Sequence, residues 1–194
     1  MQLFFILGAM AFVPSVYSSP AMEHNGILAR ADGDRGNETV ADLGLRKQEV
    51  IKAGGNTRDL AVAMLETTSM TTEYLYGDGK TGDGTNFGIF KQNWYILRHS
   101  ASEFLGQTVE QVDNGAILNS DLVKDIQARH EGEEHYGYEV WFSGHRNGES
   151  GVKKPGTDDI KAYIDAVAWI QEQIESDEKY LSDDTRFWVH VHAI

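Results

Sequence analysis

The sequence predicts an α+β fold that is mainly α, arranged as one domain with a small β-hairpin. Several segments place apolar residues at helical spacing, and one short stretch, residues 74–90, is rich in glycine and aromatic residues. The chain has 194 residues, with neither an internal repeat nor an interdomain linker. This length buries a sizeable core without disulfides, and the sequence contains no cysteine.

The N-terminal residues 1–19 are expected to be a secretory signal peptide. They are uncharged and hold an apolar run with the length of a signal core, too short to span a membrane. The polar residues 20–38 are expected to be a flexible N-terminal segment, so the folded domain should cover residues 39–194. Asn37 begins the sequon Asn-Glu-Thr and is a glycosylation candidate. We therefore expect a secreted, extracellular protein.

Helical patterns occur before residue 66 and again after residue 92. The predicted helices are 40–53, one from Asn56 or Thr57 to Glu66, 92–104, 108–118, 121–130 and one beginning after Thr157 with a stripe from Ile160 through Tyr163 to Ile174. The second of them is apolar on nearly all sides, which indicates a place in the centre of the core. The abundant glycines predict an irregular segment over 132–156, and residues 186–194 are expected to be extended.

The formal net charge of −13 narrows the range of partners. Such a surface repels nucleic acid phosphates and anionic membranes, so neither is expected as a partner. It also disfavours anionic bacterial wall as a substrate. A neutral polysaccharide, or a cationic one such as chitosan, remains compatible.

Two carboxylates stand out as candidate catalytic groups. Glu66 ends the apolar helix, where burial should raise its pKa and let it hold a proton. Asp78 lies between two glycines in a turn that should expose it and keep it ionised. The alternatives are a helix-end glutamate pointing to water and an ordinary Asp-Gly turn. Asp83 has the same flanking glycines, so spacing alone cannot choose between the two aspartates.

The order of these features is typical of a lysozyme-like groove hydrolase. An acid at a helix end is followed twelve residues later by a second carboxylate on a loop, and then by a buried segment of glycine, aromatic and amide residues. Hydrolysis of a glycosidic bond needs two carboxyl groups on opposite sides of the bond, one protonated and one ionised. The predicted hairpin therefore lies beside a catalytic groove.

Polar and aromatic residues near the carboxylates are candidate substrate-binding groups. They supply hydrogen bonds to sugar hydroxyls and flat apolar faces for sugar rings, and Gly88 permits close backbone approach. The first set is Tyr76, Lys80, Asp83, Asn86, Phe87, Lys91, Gln92 and Asn93, and the second, for the far wall, is Tyr138, Trp141, His145, Arg146 and Asn147. For Trp141, an ordinary core position is an equally good interpretation.

Two histidine pairs, His130 with His135 and His190 with His192, consist of a residue type that binds metal ions. Neither pair has a third ligand at motif spacing, and hydrolysis by two carboxylates needs no metal. We therefore expect no metal and no cofactor.

Four segments together resemble glycoside hydrolase family 134. They are Glu66 and residues 76–83, 86–94 and 141–148, and the resemblance extends over roughly residues 40–194. It implies a lysozyme-like fold and a secreted endo-β-1,4-mannanase with an inverting mechanism. Carried over by position, it implies that Glu66 is the general acid and that Asp78, rather than Asp83, is the general base.

The expected substrate is a neutral polysaccharide, β-1,4-mannan or its oligosaccharides, cleaved by a monomer. Three alternatives remain open: a chitosanase of the same architecture, a lysozyme-type hydrolase, and a non-catalytic secreted polysaccharide-binding protein. The last alternative would keep the groove but not the chemistry.

Overall fold

A computed structural model describes residues 34–191 and shows a mainly helical α+β fold, as predicted. The α-helices are α1 (Leu43–Lys52), α2 (Thr57–Glu66), α3 (Trp94–Ser100), α4 (Leu122–Tyr136), α5 (Tyr138–Lys153) and α6 (Asp158–Glu175). The strands are β1 (Arg35–Thr39), β2 (Asn86–Phe87), β3 (Gln92–Asn93) and β4 (Thr185–Val189). Short 3₁₀ helices occupy Gly82–Gly84, Val109–Asn119 and Glu178–Leu181.

The expected signal peptide, 1–19, lies outside the described residues, as do most of the expected flexible segment and residues 192–194. Within 34–191, no helix combines the length and the apolar character needed to cross a bilayer.

Helix α2 is the central helix, as its apolar sequence indicates. Its N-terminus has a reciprocal cap: the Asn56 side chain accepts from the backbone N–H of Asp59, and the Asp59 carboxylate accepts from the backbone N–H of Asn56 at 2.8 Å. Residues 60–64 are all fully buried, and the helix packs against α6 and β4. Glu66 therefore leaves the core at the C-terminal end of α2.

Helix α5 corrects the prediction of an irregular segment at 132–156. Glycine is a poor helix former, but Gly144 lies where α5 approaches α3, and Gly151 lies where α5, beyond its kink at Gly148, folds back on its own first half. A Cβ at Gly144 would lie 2.4 Å from Ile96 Cδ1, and one at Gly151 would lie 1.8 Å from the Ser143 carbonyl oxygen. Helical geometry fails inside α5 only at Gly148, where φ is 57° and ψ is −140°.

Strands β1 and β4 form an antiparallel pair in which Arg35 faces Val189 and Thr39 faces Thr185. Strand β4 confirms the extended C-terminal segment within the described residues. Strand β1 lies mostly within residues 20–38, the expected flexible segment, and within it residues 35–38 pair with β4. Asn37, the glycosylation candidate, is exposed on β1.

A small β2–β3 hairpin is present as predicted, but β3 lies at Gln92–Asn93, where a helix was expected to begin, and a buried carboxylate on α4 supports the turn. Asp125 accepts hydrogen bonds from the Ile89 backbone N–H at 2.7 Å and from Gln92 Nε2 at 2.8 Å. Burial raises the pKa of Asp125 to about 8, against the opposing effect of these two donors. A Cβ at Gly88 would lie 2.0 Å from Asp125 Oδ1. Gly88 thus makes room for Asp125, which corrects the expectation that it makes room for a ligand.

Candidate active site

Glu66 lies at the junction of three helices. Its Oε1 accepts hydrogen bonds from the Tyr163 hydroxyl on α6 at 2.5 Å and from His145 Nε2 on α5 at 3.2 Å. The side chain is 18% exposed and borders a cavity of about 550 Å³, which we call the first cavity. Both donors contact Oε1, and Oε2 has no hydrogen bond to any residue of 34–191. Oε2 is therefore the oxygen that is open to hold a proton.

The pKa of Glu66 lies below its ordinary value, which corrects the expectation of a raised pKa. Burial raises the pKa of Glu66. The hydrogen bond and charge of His145, the hydroxyl of Tyr163 and the charge of Lys91 together lower this pKa by a larger amount. The sequence shows the apolar helix that buries Glu66. It does not show the two donors, which come from 79 and 97 residues further along the chain.

The His145 ring is held rigidly beside Glu66. It stacks on the buried Trp141 ring with 5.0 Å between centroids and 2° between planes. Its Nδ1 is buried without a hydrogen-bond partner among the described residues. Its Nε2 lies 3.2 Å from both Glu66 Oε1 and the hydroxyl oxygen of Tyr163, so one ring nitrogen faces both groups.

Asp78 is held as an ionised carboxylate on the opposing loop. Its Oδ1 lies 3.0 Å from Lys91 Nζ, and its Oδ2 accepts from Asn86 Nδ2 at 3.2 Å. Burial raises the pKa of Asp78, but Lys91, Asn86 and Lys80 lower it below the usual range. Asp78 and Lys91 both have left-handed backbones, with φ of 59° and 49°. Strained non-glycine residues of this kind concentrate at functional sites.

Lys91 and Tyr74 connect the two carboxylates electrostatically. The charge of Lys91 lowers the pKa of both Glu66 and Asp78. The pKa of Tyr74 is raised by burial and by the charges of Asp125, Asp78 and Glu66. The Lys91 ammonium lies 5.0 Å from the centroid of the Tyr74 ring. Glu66 and Asp78 are therefore both within reach of the charge of Lys91.

A second cavity, of about 350 Å³, adjoins the first. Arg146 borders both cavities, and its guanidinium lies 5.6 Å from the centroid of the Tyr163 ring. The second cavity is lined by Asn86, which binds Asp78, and by His145, which binds Glu66. Because Arg146 borders both cavities, we call the two together the groove; Asp78 lines neither cavity, but its partner Asn86 lines the second.

Most of the predicted polar binding residues lie in this groove. Lining the second cavity are Lys80, Asp83, Asn86, Asn93, His145, Arg146 and Asn147, and Lys91 contacts Asp78. Asn93 also caps α3 and donates to the carbonyl of His145, so it positions the far wall as well. Asp83 differs from Asp78 because Arg98 holds both of its oxygens, at 2.6 and 2.8 Å.

Five expected binding residues are placed elsewhere. Phe87, Gln92 and Trp141 are fully buried and offer no surface to a substrate, because each is used in packing or in the support of Asp125. Tyr76 is exposed but donates to Asp113 at 2.7 Å, and Tyr138 lies under the guanidinium of Arg58 at 4.8 Å. Neither tyrosine borders either cavity.

Sequence reasoning missed Tyr74, Tyr163, Arg186 and Trp188 as site residues. In the sequence, Tyr163 fits the apolar stripe of α6. The hydroxyl of Tyr163 is the feature that points to a further role, because a polar atom in a buried stripe needs a hydrogen-bond partner. That partner is Glu66.

Among residues 34–191, no group of three or more His, Cys, Asp or Glu side chains could hold a metal ion. His130 is bound to Asp59 at 2.8 Å, and His135 packs against Tyr136 with 4.5 Å between centroids. His192 lies outside the described residues.

Glu66 borders the groove and Asp78 is hydrogen-bonded to Asn86 on its wall, and a pair of carboxyl groups is what glycoside hydrolases use to cleave sugar chains. The family model of glycosyl hydrolase family 134 matches residues 44–191. The chain belongs to this family and is a glycoside hydrolase. A comparison with curated proteins found no match.

Proposed function

We propose that this protein is a secreted endo-β-1,4-mannanase that inverts the anomeric centre, with Glu66 as general acid and Asp78 as general base. The observation that carries the proposal is that Glu66 and Asp78 have different hydrogen-bonding surroundings and both feel the charge of Lys91. Glu66 keeps one oxygen free of hydrogen bonds, whereas both oxygens of Asp78 accept hydrogen bonds that favour the ionised form. Family membership supports the same reaction class.

The proposed reaction is a single displacement. The bond between the anomeric carbon and the leaving oxygen breaks while Glu66 gives its proton to that oxygen. A water on the opposite face forms the new bond to the anomeric carbon and gives its proton to Asp78. A chain that fills the groove displaces water from around Glu66, and this desolvation raises the pKa of the acid in the complex.

The charges along the groove favour a neutral sugar chain over chitosan. At the junction of the two cavities, an ammonium sugar would meet the guanidinium of Arg146. Two of the lining carboxylates are already paired, Glu38 with Arg186 and Asp83 with Arg98. The net charge of −13 would still attract a cationic polymer, so a chitosanase is the second candidate.

Purified enzyme assayed for reducing-end release on mannan, galactomannan, chitosan and bacterial wall tests the substrate. We expect activity on mannan, and activity on chitosan without activity on mannan would replace the first candidate by the second. Binding without release from any of the four would favour a non-catalytic binding protein.

The anomeric form of the first product tests the stereochemistry. Inversion of a β-linkage yields an α-configured product, which NMR resolves during the first minutes of reaction. A β-configured initial product would mean that the enzyme retains configuration and that Asp78 is not a simple base.

Secretion through the signal peptide, action as a monomer and independence of cofactors are further parts of the proposal. N-terminal sequencing of protein recovered from culture medium tests the first of these, with a start near residue 20 expected. Neither nucleic acid nor a membrane is proposed as a partner.

The pH dependence of the enzyme should respond to the Tyr163 hydroxyl. This group lowers the pKa of Glu66 by donating to its ionised form, so Tyr163→Phe should raise that pKa. The alkaline limb of the kcat/KM profile should then move to higher pH, because the acid keeps its proton longer. Tyr76→Phe is the matched control, since the Tyr76 hydroxyl donates to Asp113 and the residue lines neither cavity. A limb that moves to lower pH in Tyr163→Phe would contradict the assignment of Glu66.

A further inference from the structure

We propose that β1 and β4 form a sugar-binding subsite of the groove, with Trp188 as the platform on which one hexose ring stacks. The inference rests on the proposed function, since it concerns the same neutral β-linked sugar chain. It adds a binding wall at the C-terminal strand, far in sequence from both carboxylates.

Strand β4 directs alternate side chains to opposite faces. Phe187 and Val189 are 3% and 7% exposed and pack into the core. Trp188 is only partly buried and borders the first cavity, together with Glu66. The large aromatic side chain of Trp188 therefore lies on the open side of the sheet and lines the same cavity as Glu66, the proposed acid.

Gly36 provides the space in which the Trp188 ring lies. The two residues face each other in the β1–β4 register. A Cβ at position 36 would lie 2.9 Å from Trp188 Cζ2 and 3.2 Å from Cε2, so the indole lies across the backbone of β1. The ring of His190 lies 4.8 Å away, centroid to centroid. The indole is therefore backed by the neighbouring strand.

Polar groups flank this platform. Arg186 Nη1 donates to Glu38 Oε1 at 2.8 Å across the two strands, and both side chains line the first cavity. Arg186 Nη2 donates to the Met64 carbonyl at 2.8 Å, two residues before Glu66. This bond ties the sheet to the end of α2 and places the platform near the acid.

The chemistry of these groups matches one pyranose ring. The apolar C–H face of a sugar stacks on an aromatic ring, while its hydroxyls require hydrogen-bonding groups at the rim. The Glu38–Arg186 pair offers both acceptors and donors, and its two charges oppose each other. A neutral hexose is therefore favoured at this position over a charged one.

Trp188→Ala tests the subsite through the kinetics of hydrolysis of mannohexaose. We expect KM to rise about tenfold, equivalent to about 1.4 kcal/mol, with a much smaller change in kcat. The pattern of products should also shift, because binding modes that place a sugar on Trp188 lose their advantage. Gly36→Val should have the same effect while keeping the indole, since the new side chain displaces the ring. Trp188→Phe should restore most of the affinity.

Trp169→Ala is the matched control. Trp169 contacts Phe187 and Arg35 and lines neither cavity, so its loss should leave KM and the product pattern unchanged in protein shown to be folded by circular dichroism. If Trp188→Ala and Gly36→Val both keep wild-type KM and products while wild-type enzyme cleaves mannan, the subsite is wrong and the proposed function stands. If wild-type enzyme neither binds nor cleaves manno-oligosaccharides, both fail.

Discussion

Glu66→Gln and Asp78→Asn are each expected to lower kcat on mannan by about 10²- to 10⁴-fold, the contribution typical of a positioned general acid or base. The amide of glutamine cannot deliver the proton that the leaving oxygen needs, and the amide of asparagine cannot take one from water. Reducing-end release measures the loss, and unchanged thermal unfolding shows that both variants fold.

Asp83→Asn and Glu73→Gln are the controls for these variants. Asp83 has the same flanking glycines as Asp78, but Arg98 occupies both of its oxygens, so a loss within about tenfold is expected, well below the range for a general base. Glu73 is exposed and lies between the two proposed catalytic residues in sequence, and its replacement should change nothing. A loss in Asp83→Asn as large as that in Asp78→Asn would reject the assignment of the base.

Gly88→Ala is expected to destabilise the protein by about 3 kcal/mol, as the sum of a left-handed backbone penalty of about 1–2 kcal/mol and an overpacking cost of about 1–3 kcal/mol. The φ of Gly88 is 74°. The new Cβ would lie 2.0 Å from Asp125 Oδ1 and would overlap a carboxyl group that is fully buried. Activity should fall as well, because the hairpin carries Asn86 and Lys91, the two partners of Asp78. Denaturant unfolding measures the stability.

Gly106→Ala separates the two contributions to that cost. Its φ of 80° is close to that of Gly88, but a Cβ there would meet nothing within 4 Å. Only the backbone penalty of about 1–2 kcal/mol should then appear, with activity retained. Equal losses in the two variants would show that Asp125 does not restrict the space at Gly88.

The helices were predictable where local signals and packing agree. Helix α2 shows a capping residue, Asn56, followed by an apolar run, and it lies in the core as that pattern indicates. The stripe of α6 was equally readable, because its apolar spacing matches the helical repeat. Helix α5 was not, because Gly144 and Gly151 look like helix breakers in sequence and act as close-packing positions in the fold.

The candidate site also has features that the sequence predicts and features that only the fold creates. The sequence by itself determined the family and the candidate acid Glu66, since both are carried by local motifs; between Asp78 and Asp83, only the resemblance to the family favours Asp78. Only the tertiary structure decided the hydrogen-bond partners of each carboxylate: Tyr163 and His145 at Glu66, and Lys91 at Asp78. The pKa of a buried acid depends on donors within a few ångströms, whatever their distance along the chain. For Glu66 those donors outweigh the burial that the sequence had shown.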